Sequence, residues 1–253
     1  MGKIIYEVRE KVGYITLNRP YKKNAIDKEF ASKLFDAFDD AKGNQDVWVC
    51  LLSAKGDDFC TGYDMKWLPV TEITPGRYTG DLYNCIKMIM KPTVCAINGL
   101  CLAQGAGMAL SCDIRIASEI ARFGWPQSKR GLPSISGPTM LSRSIPFNIA
   151  MQYLYTGDYI PAQEALRLNL VNMIVPTDQL FTAAEEYIRS KILPNAPLAQ
   201  RTMKEAAIRS RDMALDDAVR FAMALRSKVE TSADIVEGFI AFYEKRDPKF
   251  EGK

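Results

Sequence analysis

No histidine occurs among the 253 residues. That absence excludes Ser-His-Asp and Cys-His catalysis and imidazole-ligated metal sites. It also removes the side chain that titrates near neutrality without perturbation. Any general acid or base must therefore be a carboxylate, tyrosine, cysteine, lysine or water. No C-x-x-C pair occurs among Cys50, Cys60, Cys85, Cys95, Cys101 and Cys112. They read as buried free thiols in a reducing compartment, and no metal site is expected. Charge of neither sign dominates: 33 basic against 30 acidic residues give a net +3, so no nucleic acid partner is expected. No G-x-G-x-x-G or Walker loop is present to cradle a phosphate. The first residues become charged too soon for a signal peptide. One apolar stretch, 93–111, has the length of a membrane span. It contains Asn98, Gly99, Gln104, Gly105 and Gly107, so it reads as a buried strand, a turn and a helix start. A cytoplasmic protein without a membrane partner is the expectation.

What is present is ordinary globular composition, with 47% apolar and 25% charged residues, enough for one large domain or two small ones. Residues 4–9 and 12–17 read as two strands about a turn at Glu10-Lys11. Residues 28–42 place Phe30, Leu34, Ala37, Phe38 and Ala41 on one helix face. The run 47–52 has no polar alternation, which suits a strand covered on both faces. Further elements follow: a helix over 80–90, a strand over 93–97, a helix over 105–112 and a strand at 114–118. This alternation argues an α/β fold. Beyond it the chain reads as helical, over 183–191, 199–209, 215–228 and 233–244. Pro194 and Pro197 mark the change, so residues 1–195 are expected to form the core and 196–253 a helical region.

Three small-residue segments interrupt these elements. They are 58–66, 98–107, and 123–127 with 131–137. The first two each follow a buried strand and lead into a helix. Backbone N–H groups at helix starts point outward, and two that converge hold a negatively charged oxygen. The competing reading is that the glycines only turn the chain.

In this order and spacing the segments resemble the crotonase, or enoyl-CoA hydratase/isomerase, superfamily. The resemblance rests on residues 12–26, 59–66, 96–117 and 237–246, and so covers essentially the whole chain. It implies a spiral of ββα units with a helical C-terminal trimerisation region, assembled as a trimer or dimer of trimers. It also implies an acyl-CoA substrate, with coenzyme A as part of the substrate and no separate cofactor. The two N–H groups that hold the thioester oxygen carry over to Tyr63 and Gln104. CoA or substrate contacts carry over to Lys23, Ala25, Asp64, Met65 and Lys66, with Phe242 and Lys245 reaching a neighbouring subunit's CoA. Trp125 reads as a further pocket wall.

The family's proton carriers are missing. The two hydratase glutamates fall at Gly107 and Gln127, and the aspartate of dienoyl isomerases falls at Ile135. Gln127 can orient water or substrate but cannot exchange protons usefully near neutral pH. Relocated acid/base candidates are Tyr63, Tyr83, Asp81, Glu72 and Cys60. Tyr63 reads more readily as an aromatic wall for a planar or cyclic acyl group. The expected enzyme is an acyl-CoA lyase or isomerase working through enolate stabilisation. An acyl-CoA decarboxylase or C–C bond hydrolase is one alternative. A non-catalytic acyl-CoA-binding protein is another.

Overall fold

The computed structural model describes residues 2–67, 77–78 and 80–253. Strands β1 (Ile4–Arg9) and β2 (Val12–Leu17) pair antiparallel across the Glu10-Lys11 turn. Helix α1 (Lys28–Gly43) follows, with the Asp27 carboxylate accepting the Phe30 N–H at its start. Strand β3 (Val49–Ala54) begins two residues later than expected. Helix α2 (Asp81–Lys87), β4 (Thr93–Ile97), β5 (Leu100–Leu102), α3 (Gln104–Ser111) and β6 (Ile114–Ser118) follow in order. Helix α2 is shorter than the expected 80–90 and is capped at Met88, whose N–H donates to Asn84 O. The apolar stretch 93–111 is thus split among β4, β5 and α3. Among the described residues no helix is long and apolar enough to cross a membrane.

Strands β1-β2-β3-β4-β6-β9 form one sheet, in which β9 is Met173–Val175 and every pairing after β1-β2 is parallel. Its central strands are buried on both faces, as their unbroken apolar runs require. Alternation divides them cleanly. Cys50, Leu52, Cys95 and Ile97 face α1, where Phe30, Leu34 and Phe38 pack. Val49, Leu51, Val94 and Ala96 face α7 (Leu180–Tyr187), meeting Leu180 and Ala184. Each large side chain so buried contributes roughly 1.5–3 kcal/mol. All six cysteines are free thiols; five are buried and Cys85 is half-buried.

A second sheet was not foreseen. It joins β5 to β7 (Arg122–Gly124) in parallel and β7 to β8 (Tyr159–Pro161) antiparallel. Helices α4 (Ser136–Met140), α5 (Phe147–Thr156) and α6 (Ala162–Arg167) surround it. The chain ends in α8 (Pro197–Arg209), α9 (Leu215–Ser227) and α10 (Ala233–Glu244). Helix α8 is tied to the parallel sheet through Lys204, which pairs with Asp113 at 2.7 Å and donates to Lys91 O at 2.9 Å.

Candidate active site

The loop after β3 is laced to the loop after β4. Phe59 N–H donates to Asn98 O, Cys60 N–H to Leu100 O, and Leu102 N–H to Cys60 O. On its other side the loop is clamped by Ile26, whose N–H donates to Gly62 O and whose carbonyl accepts from Asp64 N–H. Tyr63 therefore sits between two fixed peptides. Fully buried Asn24 stiffens this clamp: it accepts Arg19 N–H at 2.7 Å and donates to Lys55 O at 3.0 Å and Asp58 O at 2.8 Å. Arg19 bonds both the Ala25 carbonyl and the Asp64 carboxylate, at 2.8 and 2.9 Å.

Gln104 is the first residue of α3, where helix geometry aims N–H groups outward. The turn into it runs through Ala103 at φ 52°, a left-handed value that costs a non-glycine residue energy. Close approach explains the neighbouring glycines. A Cβ on Gly62 would lie 2.9 Å from Ala103 Cβ and 3.5 Å from Gln104 N; one on Gly105 would lie 2.7 Å from Cys60 Cβ. The peptides of Tyr63 and Gln104 are thus pressed together at the edge of one cavity. More than chain reversal is served by these glycines.

That cavity holds about 750 Å³. Tyr63, Gln104, Gln127, Lys23, Ala25, Asp64, Met65 and Lys66 all line it, as does Ile135. Tyr63 packs edge-on against Trp67, ring centroids 5.9 Å apart. Gln127 Oε1 is buried with no hydrogen-bond donor near it. Asp64 is the only carboxylate lining the cavity among the described residues. The Lys66 N–H, then Arg19, hold its carboxyl below the usual carboxylate range.

Several expectations need correction. Trp125 is fully buried and is not a cavity wall; its Nε1 donates to Ser136 Oγ at 2.9 Å, and Ser136 in turn donates to Ala103 O. Its aromatic bulk supports the turn before Gln104 from behind. Outside these corrections, Phe242 and Lys245, carried over as contacts to a neighbouring subunit's CoA, lie on and just after α10 and not in this chain's own cavity lining. Phe242 borders an apolar groove with Phe239 and Phe250, and Lys245 is an exposed left-handed cap. Cys60 is buried beneath the loop, and burial pushes its thiol up to about 12. Asp81 does not line the cavity; it accepts the Tyr78 N–H. Glu72 lies outside the described residues.

Tyr83 is the candidate that the structure brings in. It lines the cavity, and its hydroxyl donates to Gln104 Oε1. Its ring lies directly over Gly107: a Cβ there would come within 2.7 Å of Tyr83 Cζ and 2.8 Å of Ser136 Cβ. The space that a side chain at position 107 would take is filled by a phenol from α2. Burial pushes the Tyr83 hydroxyl up to about 12, against a hydrogen bond from Ser136 that lowers it. A neutral donor therefore stands beside Gln104 throughout the neutral range.

Comparison with known proteins agrees with this architecture. The family profile described as enoyl-CoA hydratase/isomerase matches residues 7–253. An (E)-benzylidenesuccinyl-CoA hydratase of Thauera aromatica is 38% identical over 98% of this chain and 99% of its own length. A short-chain-enoyl-CoA hydratase of Clostridium acetobutylicum is 33% identical over all of this chain and 98% of its own. The crystal structure of enoyl-CoA hydratase from Mycobacterium tuberculosis H37Rv superposes with a TM-score of 0.91 at 34% identity, covering both chains completely. The chain belongs to the enoyl-CoA hydratase/isomerase family of the crotonase superfamily, and its α/β fold is that family's fold from end to end.

Proposed function

We propose that this enzyme hydrates an α,β-unsaturated acyl-CoA with a bulky, aromatic acyl group, using the Tyr83 hydroxyl where relatives of the family use a glutamate. The observation that carries this reading is the Tyr83 phenol lying over Gly107 with its hydroxyl on Gln104. Water adds to Cβ, and the π electrons move onto the thioester oxygen, held by the N–H groups of Tyr63 and Gln104. Cα then takes the Tyr83 proton. The oxygen added at Cβ returns one proton to the phenol oxygen, so Tyr83 ends neutral and one water has been added. A relay of this kind needs a hydroxyl that stays protonated, which a value of about 12 supplies. Gln127 lines the same cavity, and in this reading its amide orients the attacking water. Aromatic walls at Tyr63 and Tyr159 support a planar acyl group, and the Thauera relative is named for one that contains a benzylidene ring.

A second reading is favoured by one fact: the sole cavity carboxylate among the described residues, Asp64, is engaged by Arg19, so none of the described carboxylates is a free base at the cavity. Decarboxylation or C–C hydrolysis on a cyclic acyl group generates the enolate without such a base. A panel assay by mass spectrometry separates these readings. Cinnamoyl-type enoyl-CoAs are expected to gain water at least tenfold faster than crotonyl-CoA, with kcat/KM for crotonyl-CoA below about 10⁶ M⁻¹s⁻¹. Release of CO₂ or ring-opened acid without hydration would select the second reading. No turnover and no α-carbon exchange across the panel would leave only an acyl-CoA-binding protein.

We further infer that copies of this chain associate, as a trimer or dimer of trimers. Support comes from the exposed apolar side chains Val236, Phe239, Ile240, Phe242 and Tyr243 on α10, which water would otherwise cover. Sedimentation velocity at micromolar concentration is expected to show three or six times the chain mass, and Phe239→Asp to dissociate it. A wild-type monomer would sink the inference.

A further inference from the structure

Arg130 ends the 3₁₀ helix Pro126–Arg130 that also carries Gln127, and it lines the cavity. Its neighbour Lys129 takes the nearby carboxylate of Asp158 at 2.8 Å. The Arg130 guanidinium has no ion pair or hydrogen bond to any described residue. The other cationic residues of the lining, Lys22, Lys23 and Lys66, come from separate segments before α1 and after β3, and Lys23 lies 3.4 Å from Asp58. Arg130 stands instead beside Tyr159, with which it also borders a second hollow. Its companions in the cavity lining include Leu132, Pro133 and Ile135. Arg130 is exposed at the mouth of the cavity, and with Asp158 held by Lys129 its guanidinium is left to meet an anion that enters there.

We propose that Arg130 binds a free carboxylate at the distal end of the acyl group, so that the substrate class is a dicarboxylic acyl-CoA. A guanidinium matches a carboxylate with two parallel hydrogen bonds, which a lysine at this position would not reproduce. The inference rests on the cavity being an acyl-CoA site. The phosphates of CoA are a second possible source of anionic oxygen, and the experiment separates the two.

The test is equilibrium binding by calorimetry to unreactive ligands: glutaryl-CoA and 3-phenylglutaryl-CoA, each beside its ω-amide, with free CoA as reference. The wild-type protein is expected to bind at least one acid tenfold more tightly than its amide. Arg130→Leu is expected to erase that preference while leaving amide and CoA affinities within threefold, and Arg130→Lys to retain part of it. Equal affinity for acid and amide in the wild type would overturn the proposal. A uniform loss in Arg130→Leu for acid, amide and free CoA would overturn it too, by assigning Arg130 to the CoA phosphates. Failure of every ligand, free CoA included, would instead remove the acyl-CoA reading beneath it.

Discussion

Gly107→Glu, which installs a glutamate at the first hydratase position, is expected to inactivate the protein rather than improve it. The substitution adds a side chain where the Tyr83 ring already lies, with even a Cβ only 2.7 Å from Cζ and 2.8 Å from Ser136 Cβ. Neither neighbour moves easily. Tyr83 is buried on α2, and Ser136 is fixed by Trp125 on one side and the Ala103 carbonyl on the other. Overpacking of this kind costs about 1–3 kcal/mol, and a carboxylate buried without a cation adds to it. A loss near 4 kcal/mol is therefore expected in chemical denaturation, with disturbance of the Gln104 turn that Ser136 supports. The double variant Gly107→Glu with Tyr83→Ala returns the volume. It is expected to recover most of that stability and to hydrate crotonyl-CoA faster than wild type. If Gly107→Glu alone keeps wild-type stability and activity, the Tyr83 ring does not fill this space in solution.

That pairing marks the limit of what the amino-acid order makes visible. The empty position is readable: Gly107 stands where the family resemblance places a glutamate. What fills it is not readable, because Tyr83 lies 24 positions earlier on another helix and only the folded chain brings its ring over α3. The parallel sheet is legible for the opposite reason. Its central strands are covered on both faces, and a covered strand must be written as an unbroken apolar run, as in 49–52 and 93–97. The three strands of the small sheet have three residues each, too few to show a period of two. They are held by backbone hydrogen bonds between strands, which carry no side-chain signature. Trp125 illustrates a further ambiguity. An aromatic residue beside a glycine-rich loop suits a pocket wall, yet its indole N–H is matched to Ser136 on the buried side. Sequence alone does not tell which way the ring turns at the junction between β7 and the 3₁₀ helix that follows. The same holds for Arg130: its charge is visible in the chain, but its lack of an acidic partner emerges only once Lys129 is seen to hold Asp158.

Tyr83→Phe is expected to leave the fold and the affinity for substrate analogues nearly intact and to lower kcat by about 10²–10⁴, the usual range for a lost proton-transfer group. The ring that covers Gly107 is retained, so no cavity opens; only the hydroxyl's hydrogen bonds with Gln104 and Ser136 are lost. Thermal unfolding should therefore move little, which separates this variant from one that merely loosens the site. The pH dependence gives a second readout. Burial raises the folded-state value of this hydroxyl to about 12, above the ordinary value of 10. The proton is present in both folded and unfolded chains below pH 10. It is retained by the folded chain alone between 10 and 12, so stability from this group is intact at neutral pH and declines only as pH rises through that window. Wild-type kcat/KM for the preferred substrate is accordingly expected to be flat between pH 7 and 9. A clear titration within that interval would assign the proton to another group, and so would a Tyr83→Phe variant with wild-type turnover. The α-carbon supplies the sharpest discrimination. In deuterated water the wild-type enzyme should place solvent deuterium at Cα in step with hydration, whereas Tyr83→Phe should slow incorporation and hydration together. Slow hydration with undiminished exchange would mean that Tyr83 positions water and leaves Cα protonation to a different donor.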